Sequence, residues 1–162
     1  KSLLDGSVAG MMVTAEAMYE LEKTGKLNRL TRLTDHKQLK IYAGGGADYA
    51  ISATFLKERR EDAKRFMSAI CEGIAVARKD TAKALQFVAK SGRDLDGAAV
   101  EYLYRLYMTD VIPTRPHLKS EGIDLAIQMT AASTPSARGI KPQDVAEPTL
   151  VPELEKEMRC NF

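Results

Sequence analysis

Apolar positions along this chain fall into two regimes. From Leu3 to about Ile41, short apolar runs alternate with one helical stretch; from Lys57 onward the spacing is almost wholly helical. Val8–Val13 is a short apolar run entered through Asp5-Gly6, which predicts a buried strand after a turn. Thr14 is placed to cap a helix carrying Ala15, Met18, Tyr19 and Glu22, and Gly25 stops it. Leu27, Leu30 and Leu33 predict a second short strand or extended return, closing at the polar turn 34–37, so that strand, helix and return form a βαβ-like fragment. Leu39–Tyr42 is a further extended segment and Tyr49–Ala53 another strand, with the glycines 44–46 at the corner between them.

The clearest helix covers Arg60–Lys79. Ala63, Phe66, Met67, Ile70, Ile74 and Ala77 make one apolar stripe, with Glu61 and Asp62 at its start and Arg78 and Lys79 at its end, signs that suit the helix dipole. Thr81–Lys90 predicts a second helix with Leu85, Val88 and Ala89 inward, and Gly97–Met108 a third with Val100, Leu103, Tyr104 and Tyr107 on one face. Pro113 and Pro116 interrupt the chain before a fourth helix over Gly122–Ala132. Pro135, Gly139, Pro142 and Pro148 mark loops ahead of a last short helix near Pro152–Met158. Strands at the front are too few to make a sheet of their own, so the expectation is of a C-terminal portion whose remaining strands lie before Lys1.

Composition narrows the function classes. With 44% hydrophobic residues and a net charge of +2, from 24 basic against 22 acidic residues, the chain can bury a core and is not predominantly disordered. That small surplus argues against a grip on nucleic acid. No run approaches the ~18 apolar residues of a membrane span, so direct membrane insertion of this segment is not expected. Two histidines and two cysteines do not suggest a structural metal site, and no cofactor is expected.

Few side chains point to chemistry. Gly44-Gly45-Gly46 lacks the Lys-Ser/Thr pair of a phosphate loop, which leaves a bend or hinge and a backbone surface for a small ligand as two open readings. Cys71, beside Ile70 and Ile74, reads as a buried small hydrophobe; Cys160 is expected to be exposed at the terminus, with pairing to Cys71 open. His36 and His117 read as solvated, and the Glu16/Glu20 pair as a helix surface. Tyr102, Tyr104 and Tyr107 suit packing better than base stacking. The basic cluster Lys57, Arg59, Arg60, Lys64 and Arg65 is offset by Glu58, Glu61 and Asp62 and reads as a solvated helix start. No catalytic residue is assigned.

The order of segments resembles the solute-binding proteins of ABC transporters, in the branch for sulfonate, nitrate, taurine and thiamine-pyrimidine precursors. The likeness rests on Leu3–Met12, on Ile51–Phe66 as a returning strand, turn and long helix, and on the segments Pro113 to Ile123 and Asp144 to Leu154. It covers nearly all of this chain but about the C-terminal half of such a protein. Where the family has aspartate and alanine after the valine, this chain has Ala9 and Gly10.

The resemblance implies an α/β, periplasmic-binding-protein type II-like fold, partial and helix-rich. Residues 1–40 would belong to the second lobe, and residues 41–162 would form the return to the first lobe plus the C-terminal helices. It implies a non-enzymatic, periplasmic or extracytoplasmic receptor that closes on a small polar or anionic solute, with flexion near Leu39–Tyr42, and delivers that solute to a membrane permease. The ligand-binding residues would be Thr14, Glu16, Tyr42, Gly44, Gly45, Gly46 and Asp48. Two alternatives from other classes are an enzyme on the same fold, of the thiamine-pyrimidine-precursor kind, and a non-catalytic helical interaction module that presents the tyrosine-bearing helix. Weak or undetectable solute binding is expected of the chain by itself.

Overall fold

Short polar side chains start four of the helices. In the computed structural model, which describes residues 2–32, 35, 49–91 and 95–161, the Thr14 hydroxyl accepts from the Ala17 N–H at 3.4 Å and opens α1 (Ala15–Lys23). Gly25, at φ +66, closes it with its N–H on the Glu22 carbonyl. Ser52 caps α2 (Ala53–Glu58) through the Phe55 N–H at 3.1 Å. Arg59 breaks the chain for one residue before α3 (Arg60–Lys79), and Asp80 breaks it again while capping α4 (Thr81–Lys90) through the Lys83 N–H at 2.9 Å. Asp96 caps α5 (Gly97–Leu106) at 2.7 Å, and α5 widens into a π turn over Tyr107–Val111. After the prolines come α6 (Ser120–Ser133), a 3-10 turn (Pro135–Ala137), α7 (Pro142–Val145) and α8 (Leu150–Lys156).

The α/β expectation is overturned: the described residues contain helices and no strand or sheet. Val8–Val13 is irregular and mostly exposed, with Met11 at 58% and Met12 at 82% of full exposure. Leu27 to Thr31 is likewise irregular, and Leu30 is almost fully exposed. Tyr49–Ile51 is coil, after which Ser52 starts a helix where a strand was expected to end. Leu33 and Leu39–Tyr42 lie outside the described residues. The physical reason is partnership: a strand satisfies its backbone N–H and C=O groups only beside another strand, and an isolated apolar run has nothing to pair with.

The helices cover one another in sequence. α3 packs on α4, α4 on α5, and α1 on α5, while α6 gathers the 3-10 turn and α7. Ala84, Ala99, Val100 and Leu103 are buried in the α4–α5 part of this stack. The Tyr104 hydroxyl donates to the Ala77 carbonyl at 2.7 Å, and Arg78 donates to the Ile112 carbonyl at 2.7 Å, tying the end of α3 to α5 and the chain beyond it. The stripe expected on α3 holds at Ala63, but Phe66 turns outward at 51% exposure, where it meets Tyr49 edge to face, and Lys64 is buried instead. On α4, Ala84 is the buried residue and Ala89 is exposed.

α8 lies on α3. Cys71 and Cys160 form a disulfide, and with Val151, Leu154 and the half-buried Met67 they make a closed apolar cluster, so Cys160 is buried and not exposed as expected. Around it runs a ring of charge. Arg60 reaches Glu153 at 2.6 Å and Thr149 at 2.8 Å; Lys64 meets Glu157, with Glu153 at 3.4 Å and Glu61 at 3.5 Å. Arg159 bridges Glu157 and Glu61, and the Ser68 hydroxyl donates to the Arg159 carbonyl at 2.7 Å. α8 ends with Met158 in the left-handed region (φ 56), the Arg159 N–H returning to the Leu154 carbonyl and the Met158 N–H to the Glu155 carbonyl. No helix among the described residues is long and apolar enough to cross a membrane.

The ring makes stability depend on pH. The hydrogen bond from Arg60, with help from Thr149 and Lys64, pulls the Glu153 pKa down from 4.5 to about 2, and the hydrogen bonds from Lys64 and Arg159 lower that of Glu157. A lowered folded-state pKa gives stability that is complete above the unfolded value and disappears as pH falls through the folded one. The urea midpoint should therefore fall steadily between about pH 4.5 and pH 2, and a Glu153→Gln, Glu157→Gln variant should show a flatter acid limb. Glu157 holds the Lys64 pKa above 10.5, so that contribution persists below 10.5 and is lost only in stronger alkali. In the α4–α5 core, Leu103→Ala should cost about 3 kcal/mol in urea unfolding.

Candidate functional site

Two of the residues expected to touch a solute, Thr14 and Glu16, stand at the start of α1 on the seam where α1 packs against α5. Thr14 is exposed, and its hydroxyl, while accepting from Ala17, keeps its own proton to donate. Glu16, one turn-step inside the helix, is half-buried and accepts from the Tyr107 hydroxyl at 3.1 Å. Its place in the first turn also suits the positive end of the helix dipole. Glu20, on the same helix, is exposed and lies 3.4 Å from Lys23. Tyr42, Gly44, Gly45, Gly46 and Asp48, with His36 and the flexion point at Leu39–Tyr42, lie outside the described residues.

Further along the seam the contacts become aromatic and then ionic. The rings of Tyr19 and Tyr102 lie 4.9 Å apart at a tilt of 31°. Lys23 sits 4.7 Å over the Tyr19 ring and pairs with Asp96 at 2.5 Å, which joins the end of α1 to the cap of α5. Lys23 and the Ala99 N–H lower the Asp96 pKa, and Asp96 raises that of Lys23. Arg29 closes this end by donating to the Tyr102 hydroxyl at 3.1 Å and to Glu22 at 2.6 Å, and Arg32 reaches Asp110 at 3.9 Å. Burial opposes the charge on Arg29, but Tyr102 and Glu22 outweigh it and leave its pKa raised. The Arg29 Nε–H is buried without a hydrogen-bond partner.

The packing role expected of the tyrosines is what the seam displays, and it occupies the face that an outward-binding tyrosine helix would need. Tyr107, Tyr102, Tyr19 and Arg29 were not singled out as site residues in the sequence. The helical spacing of 102 and 107 marked them as inward-facing, but Arg29 sits in a stretch with no periodic signal at all. Chemically, the start of α1 carries an exposed hydroxyl able to donate and, two residues on, a carboxylate that accepts from a phenol of the facing segment. His117 is exposed as expected and faces Glu155 at 3.1 Å.

Elsewhere, Val76, Lys79, Asp80 and Lys83 line an open groove of about 280 Å³ at the α3–α4 break. Among the described residues no group of three or more His, Cys, Asp and Glu side chains is placed to hold a metal ion. No protein-family model, curated protein or solved structure matches the chain.

The Thr14 cap has a measurable weight. Thr14→Ala should lower stability by about 0.5–1 kcal/mol and fray the first turn of α1, whereas Thr14→Ser should restore both. Chemical denaturation, with amide exchange at residues 15–18, reads both effects.

Proposed function

We propose that this chain is a non-catalytic solute-binding component of an ABC importer, working outside the cytoplasm and handing a small polar or anionic organic molecule to a membrane permease. The observation that carries the reading is the start of α1, where the exposed Thr14 hydroxyl caps the helix two residues before Glu16, the partner of Tyr107. An exposed helix N-terminus with hydroxyl donors suits a solute that carries partial or full negative charge at one end and hydrogen-bonding groups at the other. Glu16 limits this to solutes of modest charge, since its carboxylate repels a compact, highly charged anion.

Two further observations support the reading. The Cys71–Cys160 disulfide fits an oxidising compartment, the setting in which receptors of this kind work. The exposed run Val8–Val13 leads straight into Thr14, so apolar surface flanks the polar groups, the usual make-up of a small-molecule site. The solute contacts would be completed by Tyr42, the glycines 44–46 and Asp48. The sequence resemblance to the sulfonate, nitrate, taurine and thiamine-precursor receptors names the chemical classes to try first.

Titration of the isotope-labelled chain with taurine, nitrate and a hydroxymethylpyrimidine tests this by amide chemical shift. The expected result is weak, millimolar-range but saturable binding of one of them, with shifts confined to residues 12–17, 44–46 and 107, and abolished by Thr14→Val. The reading fails if the shifts map elsewhere, or if the chain converts the added molecule into a product.

A further inference from the structure

We propose that residues 150–161 are a redox-held strap: with the Cys71–Cys160 disulfide formed they lie on α3, and with two thiols in its place they lift off while α3, α4 and α5 stay folded. Nearly every contact that holds this segment falls on one helix. Val151, Leu154 and Cys160 cluster with Cys71 and Met67 of α3. Arg60, Lys64 and Glu61 of α3 pair with Glu153, Glu157 and Arg159, and Ser68 of α3 holds the Arg159 carbonyl. Outside α3, Glu153 accepts from the Thr149 hydroxyl at 3.1 Å, and Glu155 faces Arg115 at 3.8 Å and His117 at 3.1 Å.

The non-covalent contacts are too weak to keep the segment down alone. α8 has seven residues, far below the length at which a helix holds its own shape in water. Glu153, Glu157 and Arg159 keep about a third of their side-chain surface in solvent, so their pairs are screened and individually small. Deep apolar burial in α8 comes from Leu150, Val151 and Leu154 alone, and Met158 holds a left-handed backbone that favours glycine. The disulfide joins residues 89 apart, and so supplies the proximity these contacts need.

The rest of the stack does not depend on the strap. Away from the strap, Ala84, Ala99, Val100 and Leu103 are buried in α4 and α5, and the ties from Tyr104 to Ala77 and from Arg78 to Ile112 lie at the other end of α3.

The reductant is a dithiol. One thiolate attacks a sulfur of the Cys71–Cys160 bond, giving a mixed disulfide and releasing the other cysteine as a thiolate that takes up a proton. The second thiol of the reductant then displaces the first cysteine. Two electrons and two protons pass to Cys71 and Cys160, and the reductant leaves as its own disulfide. Cys71 is 1% and Cys160 3% exposed, so attack waits for the strap to open. The rate of reduction should therefore level off as the dithiol concentration rises.

Limited trypsin digestion of the whole chain, with and without dithiothreitol at neutral pH, tests the strap. Reduction should speed cleavage after Lys156 and Arg159 by about tenfold or more, while the far-ultraviolet helical signal falls only by the share of α8. The Cys71→Ser, Cys160→Ser variant should behave as the reduced chain without any reductant. Equal protection of the tail in both states overturns the strap. So does loss of helicity with cleavage throughout the chain, which would make the disulfide a staple of the entire fold. Solute titration has no part in these readouts, so the strap and the solute reading stand or fall separately.

Discussion

A twenty-residue helix on which only Ala63, Lys64 and Cys71 are buried takes its place in the fold from the elements packed along it. α3 is in that position, and the arrangement of the stack follows from it. Its C-terminal end is covered by α4 and, through Tyr104 and Arg78, by α5 and the chain that follows the π turn. Its N-terminal half is covered by α8, which arrives from the far end of the sequence and is fastened there by a covalent bond. α1 rides on α5, and Thr14 at its start is exposed.

Lys64 explains why α8 sits in one register on α3. Its side chain is only 10% exposed, and Glu61, Glu153 and Glu157 surround its ammonium group. A buried charge adds little net stability, because desolvation offsets much of the attraction, but a misplaced partner leaves it uncompensated at severe cost. Sliding α8 by one residue would move Glu153 and Glu157 away from both Lys64 and Arg60. Val151 and Leu154 would leave the cluster in the same slip, so burial, the ion ring and the disulfide all hold one register.

The helices from Arg60 onward were legible because amphipathic spacing and caps act locally. Asp80 stops one helix and starts the next within the reach of its own side chain, and the ends of α3 and α4 fall where the sequence put them. Thr14 was read as a cap for the same reason. The front of the chain was misread because Val8–Val13 has the composition of a buried strand whether or not a second strand lies beside it. Periodicity reports what a segment would prefer to bury and is silent on what is there to bury it. The same limit hid the buried Lys64, whose carboxylates come from residues 153 and 157, and the disulfide, whose two halves are 89 residues apart.

At the start of α1 these two kinds of information meet. The apolar run that the sequence marks for burial ends one residue before the cap, and among the described residues Met11 and Met12 find little cover. Exposed apolar side chains next to satisfied polar ones form a surface that gains by closing on something, since every apolar area removed from water there strengthens the hydrogen bonds at its edge. On the proposed reading the solute supplies part of that cover. The misreading as a strand and the proposal of a binding site thus have one physical source, an apolar segment whose partner is not adjacent in the chain. Thr14 and Glu16 matter because they sit at the boundary of that segment, where the environment changes from apolar to hydrogen-bonding within two residues.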